Sequence, residues 1–393
     1  MTFLSSPVRI GVCGIGAIGS AHAAALSGGK INGAVLAALC DISEERKAKC
    51  AELYPDVPFF DSSDEMLESG LIDAVVISVP HYFHVPIARA AFARGIHVLS
   101  EKPIAVAASE AEAAVKEAEE KGLVYCVMFN QRTSGVYRRA KEIVSSGALG
   151  ELRRLVFIAT AWYRTQHYYN KGGWRATWNG EGGGVLLNQA PHNLDMWQWI
   201  FGMPEKLYAD CGISLWHDIE VEDDAVITAS YKNGAKAVFI TTTGDMPGTA
   251  RLEITGSRGK IIVENKTLTY ISTDKDEREV RNTEMRSSYR PKTEKEVFSI
   301  EEKERDGHEI VLENFAAVLC GKEKELICPA REALGALYIS NAAYLSAYKA
   351  SSVSVPCSSA EFNAMLEEYR KNGKQPSEGA VECHSKYEGR WQP

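Results

Sequence analysis

The chain has 393 residues, a formal net charge of −8 and an ordinary hydrophobic fraction of 45%, so it can bury a large core and form two domains. It lacks the basic cluster of a nucleic-acid-binding protein, and no apolar run reaches the roughly 20 residues that a membrane span requires. The nine cysteines are scattered without a Cys-x-x-Cys pair, and the N-terminus shows no signal-peptide pattern, so we expect a cytoplasmic protein with reduced thiols.

A glycine-rich turn joins the first predicted strand to the first predicted helix. Residues 8–13 are apolar and predict a buried strand, and residues 17–26 predict an Ala-rich helix. The turn between them fits G-x-G-x-x-G, whose glycines allow a tight turn, close approach of backbone N–H groups to a pyrophosphate, and close packing of the helix. The residues of this predicted dinucleotide site are Gly14, Ile15, Gly16, Ala17, Ile18 and Gly19.

A carboxylate follows the second predicted strand, at residues 34–40. Asp41 lies 22 residues beyond Gly19 (41 − 19), about where a carboxylate accepts hydrogen bonds from the adenosine ribose. A carboxylate there repels a 2′-phosphate, so the sequence favours NAD over NADP. Two alternatives stay open: Arg46 could reach a phosphate, and Asp41 could cap the next helix.

Strands and helices alternate through the first third of the chain, which predicts a doubly wound parallel sheet. Helices are predicted at 43–53, 63–69, 86–94 and 107–121, and strands near 59–60, at 74–79, after Gly95 and at 123–128. Because the carboxyl ends of parallel strands share one edge, the polar residues that follow each strand should converge on one crevice. Besides the glycine turn and Asp41, they are Pro80 to His84, Glu101, Lys102 and Asn130.

The sequence Glu101-Lys102-Pro103 follows the short apolar strand after Gly95. Proline cannot continue the sheet, and it holds the preceding residue in an extended conformation. Lys102 is therefore predicted at the carboxyl end of a strand, where open α/β sheets bind ligands. An isolated Glu-Lys-Pro also fits a solvated surface lysine, but the other polar residues at this edge favour a binding site.

From about Gly150 the apolar pattern becomes that of strands. Strands are predicted at 152–161, 207–215, 224–232, 235–243, 250–255 and 260–264, with a hairpin turn at Asn233-Gly234. Helices are predicted at 307–319, 331–350 and 359–372, and the charged stretch 273–305 is predicted to form exposed hairpins or a mobile insertion. We therefore expect an α/β protein with a dinucleotide-binding domain at 1–129, a second α/β domain with a large, mostly antiparallel open sheet at 130–375, and an irregular tail at 376–393.

Three glycines at 182–184 precede a predicted helix that carries Asn188, His192 and Asp195. On that helix Asn188 and His192 would share one face. A lone histidine on such a helix is often structural. The preceding glycine run permits close backbone approach, which favours a binding role for His192.

Taken together, the glycine turn, Asp41, Glu101-Lys102-Pro103 and the pattern from the glycine run to Asp195 resemble the Gfo/Idh/MocA oxidoreductase family over about residues 7–357. The resemblance implies a Rossmann domain, an open-sheet domain that often forms the subunit interface, and hydride transfer between NAD(P) and a hydroxyl of a sugar, inositol or glycoside. It also implies that Lys102 is the catalytic lysine and His192 its acid/base partner. Residues then expected near the cofactor are Ser78, Pro80, His81, His84, Glu101, Lys102, Asn130, Trp174 and Arg175.

Asn188 departs from the family, which commonly has Asp at this position. An amide neither takes a proton nor stabilises a lysine cation as a carboxylate does, so we expect a lowered pKa for Lys102 and a hydrogen bond from Asn188 to a substrate hydroxyl. The sequence around Asn188, with Trp162-Tyr163-Arg164-Thr165 upstream, resembles the branch that oxidises the C3 hydroxyl of pyranosides. Candidate sugar contacts are Tyr163, Arg164, His167 and Trp178, although aromatic residues at such spacing are often core or interface.

The sequence thus predicts an NAD-dependent dehydrogenase that oxidises a secondary hydroxyl of a sugar or glycoside. One alternative is a redox-neutral lyase, hydrolase or epimerase with tightly bound NAD, and another is a non-enzymatic nucleotide-sensing regulator. No metal is expected, because no carboxylate or cysteine set completes a site with His81 and His84. The expected partners are a small sugar or glycoside and further copies of the chain through the C-terminal sheet, with no nucleic acid and no membrane.

Overall fold

The computed structural model describes residues 3–171, 173–300 and 305–374, so the predicted tail at 376–393 lies outside the described residues. Two sheets organise the chain, one of six strands and one of nine. Among the described residues, no helix is both long and apolar enough to cross a bilayer. The α/β class and both predicted sheets are confirmed, while the domain boundary at 129/130 stays a prediction.

The N-terminal sheet is parallel throughout, in the order β3-β2-β1-β4-β5-β6. Its central strands are buried because helices cover both faces, and the strand order reverses between β1 and β4, where ligands bind in such folds. The strands are β1 Val8–Cys13, β2 Ala34–Cys40, β3 Phe59–Phe60, β4 Ala74–Ile77, β5 His97–Ser100 and β6 Tyr125–Val127. The helices are α1 Ala17–Ser27, α2 Glu44–Leu53, α3 Ser63–Glu68, α4 His84–Ala93 and α5 Ala108–Glu120.

The second sheet has the order β14-β13-β12-β11-β7-β10-β9-β8-β15, and its described pairs are antiparallel except for β7 with β10. Its strands are β7 Leu152–Ala159, β8 Lys206–Ile213, β9 Glu222–Ser230, β10 Lys236–Thr242, β11 Ala250–Gly256, β12 Gly259–Glu264, β13 Thr267–Thr273, β14 Thr293–Ser299 and β15 Val353–Ser354. The remaining helices are α6 Gly135–Ser145, α7 Gln166–Asn170, α8 Pro191–Phe201, α9 Glu277–Thr283, α10 Gly307–Leu319, α11 Ala330–Lys349 and α12 Ser359–Asn372.

Helix α11 and a buried ion pair join the two sheets. The Asn341 side chain on α11 accepts a hydrogen bond from the Ala108 amide at 2.9 Å and donates one to the Val106 carbonyl at 3.0 Å. Arg132, which follows β6, forms a bidentate pair with Asp195 on α8, with both distances 2.7 Å and both side chains buried. The carboxyl edge of the N-terminal sheet is thereby fixed against α8.

The predicted helix through Asn188 is wrong, because α8 begins at Pro191 and residues 185–190 form turns. The Glu222 carboxylate on β9 accepts hydrogen bonds from the amides of Gly184 and Leu186, both at 2.9 Å. These amides are therefore bound by a side chain instead of a helical carbonyl, and Pro191 favours the first helical position. The charged stretch 273–305 contains α9 and β14, of which β14 is exposed throughout.

Candidate active site

The glycine turn after β1 is shaped by contacts that exclude side chains. Gly14 has a φ of +90°, and a Cβ there would lie 2.5 Å from the Ser78 carbonyl oxygen. A Cβ on Gly19 would lie 1.8 Å from the Gly14 carbonyl oxygen, which also accepts a hydrogen bond from Ser78 Oγ at 2.8 Å. In contrast, a Cβ on Gly16 would meet no described atom within 4 Å. The turn is therefore closed toward β4 and open at Gly16.

The open side of the turn fits the phosphates of a dinucleotide. Helix α1 begins after Gly16, its first turn holds no acidic residue, and no side chain in the described chain caps it. The first amides of such a helix lack helical partners and lie at the positive end of its dipole, which suits an anion.

Asp41 connects the glycine turn to α2. Its carboxylate accepts hydrogen bonds from the amides of Ile15 at 2.6 Å and Ser43 at 3.0 Å, and Arg46 lies 2.9 Å away as an ion pair. The residue that caps α2 is Ser43, whose hydroxyl accepts from the Arg46 amide. Asp41 therefore lies at the end of β2, beside the turn, as the sequence predicts for a residue that binds ribose.

Lys102 lies two residues beyond β5 and contacts the second half of the chain. Its Nζ donates a hydrogen bond to the backbone carbonyl of Asn188 at 2.6 Å and lies 3.5 Å from Asn188 Oδ1. Burial lowers the pKa of Lys102 to about 8; the charges of Glu101 and Glu181 oppose this shift, and those of Arg175 and Arg164 add to it. The predicted direction is confirmed, with burial as the main cause.

His192 lies in the first turn of α8 and is 5% exposed. Burial lowers its pKa well below the usual range and the charge of Lys102 adds to the shift, so the ring is neutral and within electrostatic reach of that amine. Its Nδ1 is buried without a hydrogen-bond partner among the described residues. An unpaired buried polar atom costs about 1–3 kcal/mol, so Nδ1 is suited to receive a ligand.

Glu101 belongs to a buried polar cluster next to Lys102. Burial is the largest single influence and disfavours its charge, but the hydrogen bond from His22 at 2.8 Å and the charges of His22, His308 and Lys102 together outweigh burial and lower the pKa of Glu101 to about 2. The rings of His22 and His308 lie 5.8 Å apart, and Asn130 Nδ2 is 3.3 Å from His308 Nδ1. Glu101 and Asn130 were predicted from the sequence, whereas the two histidines, which come from α1 and α10, were not.

His81 and His84 connect the loops around Lys102. His81 directly follows Pro80, and its Nδ1 lies 2.9 Å from the Glu181 carbonyl oxygen. In His84, Nδ1 lies 2.7 Å from the Pro103 carbonyl oxygen and Nε2 lies 2.7 Å from that of Val79. Both rings are buried. No cluster of three or more metal-ligating side chains occurs in the described ranges. His84 therefore holds the loop after β4 against the Lys102 loop, and His81 holds it against the segment at Glu181.

Two arginines and Tyr168 lie next to Asn188. The guanidinium of Arg164 is 5.0 Å from the centre of the Tyr168 ring, and that of Arg175 is 5.2 Å from it and 4.7 Å from the Trp174 ring. The Tyr168 hydroxyl accepts hydrogen bonds from Arg175 Nε at 3.3 Å and Asn188 Nδ2 at 3.4 Å. Tyr168 was not predicted, since only the fold brings α7 to this turn.

The four candidate sugar contacts separate into two groups. Tyr163 and His167 are exposed and Arg164 is partly buried, so all three are accessible to solvent, and their roles as sugar contacts stay predictions. Trp178 is 4% exposed and stacks on Tyr369 of α12 at 4.4 Å between ring centres. Trp178 is therefore a core residue, which corrects its assignment as a sugar contact.

Comparison with known proteins identifies the family of both parts of the chain. Residues 8–129 match the oxidoreductase family with an NAD-binding Rossmann fold, and residues 137–262 match the GFO/IDH/MocA C-terminal domain. A myo-inositol 2-dehydrogenase of Thermotoga maritima is 26% identical over 273 residues, which is 68% of this chain and 78% of that protein. A D-glucoside 3-dehydrogenase of Escherichia coli is 30% identical over 203 residues, 51% of this chain and 56% of that protein.

A solved structure extends the match over most of the chain. The WlbA dehydrogenase from Bordetella pertussis, in complex with NADH and UDP-GlcNAcA, aligns with a TM-score of 0.74 and 25% identity, covering 89% of this chain and 99% of that one. The family resemblance inferred from the motifs is thus confirmed. The chain belongs to the Gfo/Idh/MocA oxidoreductases and contains their NAD-binding Rossmann domain.

Proposed function

We propose that the protein is an NAD-dependent dehydrogenase that oxidises a secondary ring hydroxyl, at C3, of a sugar or glycoside. The observation that carries the proposal is that Lys102, whose pKa is about 8, lies within electrostatic reach of His192, whose buried Nδ1 lacks a partner among the described residues. The names of the relatives, an inositol 2-dehydrogenase and a D-glucoside 3-dehydrogenase, support a ring hydroxyl as the reacting group.

The residues that would hold NAD are those at the carboxyl edge of the N-terminal sheet. The amides at the start of α1 would bind the phosphates and Asp41 the adenosine ribose. When bound, the nicotinamide supplies the hydride acceptor for the reaction.

Lys102 would take the proton of the substrate hydroxyl. Because its pKa is lowered to about 8, a large share of the Lys102 amine is neutral near pH 8 and able to accept a proton. The Asn188 carbonyl orients that amine by accepting a hydrogen bond from it. His192, neutral at this pH, would hold the same hydroxyl through Nδ1. A positioned base typically contributes about 10²–10⁴-fold to the rate. Because Asn188 Nδ2 already donates to Glu181, the side-chain atom that would accept from a substrate hydroxyl is Oδ1, whose contact with Lys102 Nζ is long at 3.5 Å.

The proposal is tested with Lys102→Met and His192→Ala. We expect each variant to lose at least about 10²-fold in NADH formation from methyl glucosides while keeping the NAD affinity of the wild type. The 3-deoxy glucoside should not be oxidised. If both variants keep full turnover with NAD bound, the proposed roles are wrong. Turnover by protein that purifies with NAD, without added cofactor, would instead support the redox-neutral alternative.

We also propose that the open face of the second sheet binds a second copy of the chain. Strands β8 and β9 place Tyr208 and Val226 on that face, where both are exposed. Exposed apolar side chains on a sheet face are typical of an interaction surface. Light scattering should give a mass of at least a dimer, and Val226→Glu should lower it; a monomeric wild type would contradict the proposal.

A further inference from the structure

Glu181 is a buried carboxylate in the segment that reaches Lys102. It is 1% exposed and directly precedes the glycine run. One carboxylate oxygen accepts a hydrogen bond from the Ala176 amide at 2.6 Å, and the other accepts from the side-chain amide of Asn188. Its backbone carbonyl lies 2.9 Å from His81 Nδ1. Two contacts of the carboxylate and one of the backbone carbonyl therefore fix the position of this residue.

The glycine run explains why Glu181 can approach Asn188. A Cβ on Gly182 would lie 2.4 Å from Val106 Cγ1, and a Cβ on Gly183 would lie 2.2 Å from the Tyr344 hydroxyl. The run therefore passes between packed side chains where larger residues do not fit, and the chain turns back so that residues 181 and 188 meet. Glycine at 182 also satisfies a φ of +82°.

Asn188 connects Glu181 to Lys102 in a continuous chain of hydrogen bonds. Its side-chain amide donates to Glu181, and its backbone carbonyl accepts from Lys102 Nζ at 2.6 Å. Asn188 has no charge of its own, so the carboxylate behind it is the charged end of this chain. We propose that Glu181 is a positioning residue, which orients the Asn188 turn against Lys102 and supplies a negative charge beside the amine that the proposed function makes catalytic.

The charges around Lys102 agree with this role. Burial raises the pKa of Glu181, but the hydrogen bonds from Ala176 and Asn188 and the charge of Arg175 favour its ionised form. In turn the charge of Glu181 raises the pKa of Lys102 against the effect of burial. The other titratable or charged groups that interact electrostatically with Lys102 are Glu101, Arg164, Arg175, His81, His84, His192 and His308.

The test is Glu181→Gln, which keeps the shape of the side chain and removes its charge. We expect the pKa of Lys102 to fall below its wild-type value, with about a three- to tenfold lower proton affinity. Competitive acetylation of Lys102 as a function of pH, read by mass spectrometry on the full chain, measures this value without turnover. The pH profile of kcat/KM should shift in the same direction. In Glu181→Gln with Asn188→Asp, the new carboxylate should raise the pKa of Lys102 again.

Glu222→Gln is the matched control. Glu222 is equally buried and holds the same segment through the amides of Gly184 and Leu186, but its charge is not among the main causes of the lowered pKa of Lys102. We expect a lower melting temperature and an unchanged pKa for Lys102. The inference is overturned if folded Glu181→Gln leaves that pKa unchanged, or if both variants shift it equally.

The role of Glu181 can also be tested if the first variant does not fold or if Lys102 is not the catalytic base. If Glu181→Gln does not fold, Glu181→Asp keeps the charge but shortens the side chain away from Asn188. It should then lower kcat/KM with unchanged NAD affinity, and an unaltered kcat/KM would overturn the inference. If Lys102→Met retains turnover, the proposed function fails, but the acetylation experiment still measures the influence of Glu181 on Lys102.

Discussion

The chain uses two glycine-rich segments near the candidate site, and they act in opposite ways. At Gly16 the turn after β1 faces open space, and no described side chain caps the first amides of α1. At Gly184 the second segment is enclosed: its amide donates to Glu222, and a Cβ there would lie 1.9 Å from the Glu222 carbonyl oxygen. The first segment exposes backbone to a ligand, whereas the second brings the Asn188 turn close to Lys102. Glycine content alone does not distinguish these two uses. They are distinguished by whether the backbone amides already have hydrogen-bond partners within the chain.

The largest expected effect concerns the Arg132–Asp195 ion pair, which holds the N-terminal sheet against α8. Asp195→Asn should leave the buried Arg132 guanidinium without its bidentate partner and lower the free energy of unfolding by about 3–5 kcal/mol. Urea denaturation measures this loss. The matched control is Glu332→Gln, since Glu332 also pairs with Arg132 but its side chain is 51% exposed; a loss of about 0–1 kcal/mol is expected there. Equal losses in the two variants would contradict this account.

This ion pair also shows which contacts a local sequence pattern does not encode. Asp195 was predicted on the same helix as His192, but its partner Arg132 is 63 positions away in the chain. The glycine turn, Asp41 and Lys102 were located correctly because each follows directly from a strand end in a regular sheet. The Asn188 turn was mistaken for a helix because Glu222, from another strand, binds the amides. Trp178 was misassigned because Tyr369 covers it from α12. Contacts between distant segments were thus the part that local patterns did not encode.

The enclosed segment should be sensitive to a single added methyl group. Gly184→Ala would place a Cβ against backbone that cannot move aside, so we expect a loss of about 3 kcal/mol in unfolding free energy, the upper end of the usual range for overpacking. Thermal denaturation gives the comparison with the wild type. A variant as stable as the wild type would show that the segment is looser than its contacts indicate.

The open segment should respond in the opposite manner. Gly16→Ala meets no described atom within 4 Å, so its melting temperature should match that of the wild type. Its NAD affinity should fall by about tenfold or more, because the new methyl group occupies the side from which a pyrophosphate approaches the backbone. Fluorescence titration with NADH measures the affinity. A loss of stability with unchanged affinity would reverse the roles assigned to the two segments.

A pH dependence is expected at Lys102, where the N-terminal sheet meets the Asn188 turn. If neutral Lys102 takes the proton, kcat/KM for oxidation should rise about tenfold per pH unit below about 8 and level off above it, since the amine is protonated below its pKa. His192 should add no limb in this range, because its pKa lies well below 6.5 and it is neutral throughout. Reduction of the keto product requires the protonated amine, so its rate should fall above pH 8. A profile that instead breaks near the ordinary histidine pKa and persists in Lys102→Met would assign the proton to His192, and the Asn188 turn would then orient a group that carries charge without transferring it.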